Sequence, residues 1–195
     1  MDGTLIDSSS IIANSINYVR GKISLPPMQN DHIISCVNNV NIHAPSFFYE
    51  VERFEKKHEE WFREYYSKNH TVDTALYDGI LSLIKRLSNT HKLSIATNAY
   101  EQSAKQILDA NNITHYFDII MCADLVEKPK PNRQMIDVII NHYSAKRDEF
   151  VVIGDGERDI LAAKDAGIDS ILVDWGFSDH KEAIRSVKEL EDILF

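Results

Sequence analysis

The sequence predicts an α/β protein in which a core of parallel strands and helices is interrupted near its N-terminus by an all-helical insertion. Three observations lead there. From about residue 72 onward, short apolar runs alternate with amphipathic helical patterns, the order of parallel strands joined by helices. Between about residues 10 and 70, helical stripes dominate and no segment resembles a central strand. Polar residues suited to chemistry gather where the apolar runs end, and ligands of open parallel sheets bind beyond the carboxyl ends of strands. The expected division is a core of residues 1–10 and 72–195 around a helical insertion of residues 11–71.

Ile12, Ile16, Val19 and Ile23 form the first helical stripe, and Pro26-Pro27 separates it from the next helix. Phe47, Val51, Phe54, His58, Trp61 and Tyr65 recur at alternating intervals of four and three, which predicts one long amphipathic helix with Glu52, Lys56, Glu59 and Arg63 on other faces. His58 on that stripe reads as a packed histidine rather than a ligand. Thr71-Val72-Asp73-Thr74 is the expected return linker. In the core, Ile80, Leu83, Ile84 and Leu87 predict a helix, residues 92–97 a strand, and Ala104, Ile107 and Leu108 a second helix. Residues 117–121 read as a short strand, and Met135, Val138, Ile139 and His142 as one face of a third helix. Phe150 to Ile153 is a buried-strand run, Asp159 to Ala166 a small-residue helix closed by Gly167, and Ser170 to Val173 another strand. Ile184, Val187, Leu190 and Leu194 suggest a closing helix.

Composition narrows the function. With 44% hydrophobic and 26% charged residues the chain can build a core, and no apolar run approaches the ~20 residues of a membrane helix. A net charge of -9 disfavours a nucleic-acid binder held by phosphate contacts. Cys36 and Cys122 match neither a zinc spacing nor a disulfide framework and are expected to be reduced and structural. The opening residues carry no export signal, so the cytoplasm is the default expectation.

Three segments put chemistry at strand ends: Asp2-Gly3-Thr4, Thr97-Asn98, and Asp155 to Asp159. Asp155 and Asp159 at i and i+4 after a glycine turn can serve one site, and hard carboxylate oxygens suit Mg²⁺, which accepts phosphate oxygens alongside them. The same two acids also read as a helix cap and a first-turn acid. Thr97, or the amides after it, could hold phosphate at a helix N-terminus, with Asn98 as neighbour. Lys128, in Lys128-Pro129-Lys130-Pro131, could neutralise charge built up on phosphate. Asp2 is then free for proton transfer.

In this order, Asp2-Gly3-Thr4-Leu5-Ile6-Asp7-Ser8, Thr97-Asn98, Lys128-Pro129-Lys130-Pro131 and Gly154-Asp155-Gly156-Glu157-Arg158-Asp159 make the chain resemble a haloacid dehalogenase superfamily phosphatase with a helical cap. The resemblance spans nearly the whole chain. It implies a Rossmann-like core, Mg²⁺, and a small phosphorylated metabolite such as phosphoglycolate, hydrolysed through an aspartyl-phosphate intermediate under a closing cap. A monomer or homodimer without nucleic-acid or membrane partners is implied. Asp2 matches the family's general acid/base, Lys128 its lysine, Thr97 and Asn98 its phosphate loop, and Asp2, Asp155 and Asp159 its metal site. Lys128 is preferred over Lys130 from the spacing to the prolines.

The family's attacking aspartate stands two positions before Asp2, where this sequence has no residue. The expectation is therefore that the chain as written lacks the first strand and the nucleophile, and is unstable or remodelled, and inactive. Asp2 argues against the dehalogenase branch. A phosphosugar mutase of the same family and a noncatalytic phosphate- or metal-binding relative are the alternatives.

Overall fold

Two short strands, β1 (Ile6–Asp7) and β2 (Ala75–Leu76), are the places where the chain passes between its two compact units. One unit comprises Met1–Ile6 with Leu76–Phe195, the other Asp7–Ala75, so the crossings fall at 6/7 and 75/76 rather than 10/11 and 71/72. The computed structural model describes residues 1–37, 42–176 and 181–195.

The Asp7–Ala75 unit is helical: α1 (Ser9–Lys22), α2 (Asn30–Val37), α3 (Ala44–Tyr49) and α4 (Lys56–Asn69). Ala13, Ile16 and Val19 of α1 pack with Ile33 of α2 and with Phe48 and Tyr49 of α3, while Trp61 and Phe62 of α4 lie against this cluster. Arg20 is buried there, and its guanidinium donates to the carbonyls of Pro26 (2.8 Å) and Phe48 (2.5 Å). The single long helix expected over residues 47–65 is two helices. Glu50 ends α3 in the left-handed region at φ 57°, and Glu55 caps α4. His58 explains part of the break, because its Nδ1 accepts the Glu55 N–H (3.3 Å), a bond that a continuous helix would have made with its own backbone. The hydrophobic period survives the interruption because both helices pack against one core, although Phe54 in the gap is exposed.

The other unit alternates as expected: α5 (Ile80–Leu87), β3 (Ser94–Ala96), α6 (Glu101–Ala110), β4 (Ile119–Met121), α7 (Gln134–Tyr143), β5 (Val151–Gly154), α8 (Glu157–Ala166), β6 (Asp169–Leu172) and α9 (Val187–Leu194). β3 and β4 pair in parallel with Ala96 opposite Met121, and β5 and β6 pair in parallel with Gly154 opposite Leu172. Parallel partners need a crossover, which α6 and α8 supply. Ala104, Ile107 and Leu108 of α6 are completely buried against Ile80, Ile84, Ile95 and Cys122. Burial pushes the Cys122 thiol up to about 11, so it packs as a neutral group.

Helix α7 buries Met135, Ile136, Ile139 and Ile140, whereas Val138 and His142, expected on its inner face, are exposed. The helix serves two neighbours at once. Met135 and Ile139 meet Met121 of β4, and Ile136 and Ile140 meet the alanine face of α8, so its buried face is wider and rotated from a single stripe. The closing helix starts later than its pattern implied. Ser186 caps it by accepting the Glu189 N–H (3.2 Å), and Ile184 instead bridges Val173 beyond the end of β6.

Glu50 is exposed and holds a left-handed conformation that costs an L-residue about 1–2 kcal/mol, of which glycine's greater chain entropy would give back part. A Glu50→Gly chain is therefore expected to gain about 0.5–1 kcal/mol in urea unfolding. A loss of stability would show that the helix break carries no backbone strain.

Candidate active site

At the start of the chain the N–H groups of Thr4 (3.3 Å), Leu5 (2.8 Å) and Ile6 (3.1 Å) converge on the carbonyl of Met1, and the Gly3 N–H returns to Ile6 (2.9 Å). This tight loop requires Gly3 twice over. Its φ is +71°, and a Cβ there would stand 2.1 Å from Oδ2 of Asp155. Thr4 is buried, and its hydroxyl donates to Oδ1 of Asp155 (2.8 Å). Asp2 enters the same loop with a buried Oδ1 that accepts no hydrogen bond among the described residues.

Asp155 follows the last residue of β5. Burial raises its carboxyl above the usual carboxylate range, and the Thr4 hydroxyl offsets part of that rise by bonding to the ionised form. The turn into α8 then brings Asp159 back: its Oδ2 accepts the Gly156 N–H (3.3 Å), and it lies so close to Gly154 that a Cβ there would be 2.4 Å from the Asp159 side chain.

Lys130 supplies the cation of the site. Its Nζ donates to Oδ1 of Asp159 (2.5 Å) and to the carbonyl of Ala96 at the end of β3 (2.7 Å), with the lysine side chain only 9% and the aspartate side chain 13% exposed. The preference for Lys128 is corrected here. Lys128 is exposed, and its backbone N–H donates to Gln134 (2.8 Å). The prolines did not discriminate between the two lysines because the chain turns within the motif, the Asn132 N–H closing on the Pro129 carbonyl (3.1 Å).

Asn98 selects which lysine turns inward. Its side chain accepts the Lys130 N–H (3.1 Å) and donates to the Lys130 carbonyl (2.9 Å), a two-point clamp on that residue's backbone. The amide expected to face phosphate is thus committed to Lys130. Thr97 is buried, and its hydroxyl accepts the Ala99 N–H (3.1 Å). At the start of α6 the Glu101 N–H is taken by Asp124 (2.9 Å).

Of the expected site residues, the structure therefore draws Asp155 to the Asp2–Thr4 loop, and Asp159 to Lys130 beside Ala96 and Asn98. It does not bring Asp2, Asp155 and Asp159 into one cage: no group of three His, Cys, Asp or Glu side chains among the described residues could enclose a metal ion. Asp159 faces an ammonium instead. Mg²⁺ commonly keeps several waters and takes only one or two carboxylates from the protein, so the buried, unpartnered Asp2 oxygen and the Asp155 carboxylate remain a fitting donor pair. Sequence reasoning ranked Lys130 behind Lys128 and missed the clamping role of Asn98, as well as Trp175, whose indole N–H donates to the Thr4 carbonyl (2.8 Å). Trp175 lies just past β6, so the strand-end rule, applied there as well, would have marked it.

Among known proteins, a family model described as haloacid dehalogenase-like hydrolase matches residues 1–173. A phosphoglycolate phosphatase of Aquifex aeolicus is 29% identical over 178 residues, covering 91% of this chain and 83% of that protein. The pyrophosphatase PpaX of Halalkalibacterium halodurans is 27% identical over 212 residues, covering 100% and 94%. The solved structure of a haloacid dehalogenase-like family hydrolase from Streptococcus pneumoniae shares the fold with a TM-score of 0.80 at 23% identity, covering 100% of this chain and 94% of that one.

Two stability measurements check the site. Lys130→Met leaves Asp159 buried without its partner and should cost about 3–5 kcal/mol in urea unfolding, whereas Lys128→Ala should stay within about 0.5 kcal/mol of wild type. Equal effects would reverse the assignment of the lysine. For Asp155, a folded value raised above the unfolded one means that its stabilising contribution is complete below the usual carboxylate range and is lost as pH rises through the folded value. In metal-free buffer, Asp155→Asn should accordingly be more stable than wild type near neutral pH, with the difference shrinking in acid, as read from thermal unfolding across pH.

Proposed function

The chain belongs to the haloacid dehalogenase-like hydrolase family, and from that premise we propose that it is a Mg²⁺-dependent phosphatase for a small organic phosphate of the phosphoglycolate kind. The observation that carries this reading is the contact of the Asp2–Thr4 loop, in which the Asp2 Oδ1 is buried without a partner among the described residues, with the Asp155 carboxylate, in the same unit as the buried Lys130. Hard oxygen donors and a buried ammonium suit phosphoryl chemistry. The names of the relatives add a phosphoglycolate phosphatase and a pyrophosphatase as precedents.

Asp2 and Asp155 would hold the ion, which when bound neutralises charge on the phosphate oxygens. Asp2 is also the group proposed to protonate the departing alkoxide and later to take a proton from the attacking water. Lys130 would present its third N–H to a phosphate oxygen, since Asp159 and the Ala96 carbonyl engage the other two. Asp159 acts through that lysine, fixing the direction of its ammonium and balancing its charge. Thr97 would complete the phosphate cradle at the end of β3. The helical unit Asp7–Ala75 is the part proposed to set substrate choice.

The family's attacking carboxylate belongs two positions before Asp2, outside these 195 residues. The aspartyl-phosphate half of the cycle is thus assigned to a chain carrying that position. The experiment measures Mg²⁺-dependent phosphate release from phosphoglycolate, pyrophosphate and a panel of small phosphate esters, using the 195-residue chain beside one extended upstream in frame. Phosphate release by the extended chain, abolished by chelation and at least about 10³-fold slower in the shorter chain, is the expected result. Equal turnover by both would place the nucleophile within the present residues. Inactivity of both would sink the phosphatase reading in favour of a binding role.

A further inference from the structure

Thr4 is held at three points: its N–H by the Met1 carbonyl (3.3 Å), its hydroxyl by Asp155 (2.8 Å) and its carbonyl by the indole N–H of Trp175 (2.8 Å). The first two bonds belong to the loop and to the acid it faces. The third comes from a residue 171 positions away, beyond the end of β6, and fixes the Thr4 carbonyl to the frame of the unit, next to the Leu5 carbonyl that accepts the Tyr77 N–H (3.1 Å).

The turn that carries Trp175 is itself fixed. Asp174 has a fully buried side chain, which accepts the Gly176 N–H (3.0 Å) and a guanidinium N–H of Arg185 (2.5 Å), while its own N–H donates to the Ile184 carbonyl (2.9 Å). The Trp175 ring packs with two apolar clusters of the same unit, among them Leu93, Val187 and Tyr77, whose ring centre is 6.5 Å away. An indole so placed has little freedom, so its N–H points at Thr4 rather than following it.

From this geometry we infer that Trp175 is a positioning residue which, through the Thr4 carbonyl, holds the Asp2–Thr4 loop against Asp155 and thereby sets the affinity of those two acids for a divalent cation. The inference rests on the metal-binding reading proposed above. Without that bond the Thr4 carbonyl loses its partner and the peptide after Thr4 keeps only the Leu5 N–H bond to the Met1 carbonyl, which lies within the loop itself, so the Thr4 hydroxyl is held less firmly on Asp155 and Asp2 shifts with the loop. A partner that orients a ligand without touching the ion typically changes metal affinity about 10–100-fold.

Trp175→Phe keeps an aromatic ring in the clusters and removes the donor together with part of the ring volume, which is why exchange in α7 and α8 is read beside it. Calorimetric titration with Mg²⁺ should show about 10–100-fold weaker binding than wild type. Hydrogen exchange should be faster at the amides of Gly3 to Ile6 and unchanged in α7 and α8. A second chain, Trp61→Phe, leaves Trp175 as the sole tryptophan, and its emission should change saturably with Mg²⁺. Wild-type affinity and exchange in Trp175→Phe would overturn the role of Trp175 while leaving the metal reading intact. Absence of Mg²⁺ binding by wild type would overturn both. If Trp175→Phe loses protection in α7 and α8 as well, the Trp61→Phe titration decides: binding by calorimetry without a change in emission overturns the inference, and a saturable change supports it.

Discussion

A lysine ammonium taken out of water must find acceptors for its protons, and Lys130 finds them in Asp159 and in the carbonyl of Ala96. Much of the candidate site is arranged around that requirement. The ion pair ties the first turn of α8 to the end of β3, two elements whose strands belong to separate parallel ladders. It also explains the neighbouring residues. Asn98 grips the Lys130 backbone at both its N–H and its carbonyl, and Gly154 leaves the space that the Asp159 side chain occupies. A larger residue at 154 would push Asp159 away and strand the ammonium.

The second constraint is steric and lies on the other side of Asp155. Its carboxylate approaches the loop closely enough that residue 3 must be glycine, and burial raises the carboxyl despite the N-terminal ammonium and the Thr4 hydroxyl, which offset part of its lost hydration. The folded chain by itself therefore leaves the charge of Asp155 incompletely compensated. The unpartnered oxygen of Asp2 points the same way. Both arrangements depend on elements distant in sequence, which is why each strand end contributes a short, rigid turn.

The helical unit shows how far a periodic pattern can be trusted. The spacing from Phe47 to Tyr65 is that of one helix, yet Glu50 and the Glu55–His58 cap divide it, because a hydrophobic period reports which side chains share a core and not whether the backbone between them is continuous. Helix α7 gives the complementary case. Its existence was plain, but its inner face was drawn too narrowly, since a helix covered by both β4 and α8 buries a wider arc than one packed against a single partner.

From the sequence alone came the alternation of strands and helices, the helical insertion, the family resemblance and most of the polar segments at strand ends. These are local properties: the period of apolar residues, short motifs and the prolines and glycines that bound them. The tertiary structure decided which of two lysines is buried, what Asn98 holds, that Asp159 faces an ammonium, and that Trp175 anchors the Asp2–Thr4 loop. Each of those outcomes depends on a bond between residues 29, 32 or 171 positions apart. Spacing within a motif carries no information about such partners, because the direction of a side chain is settled by what the folded chain places opposite it.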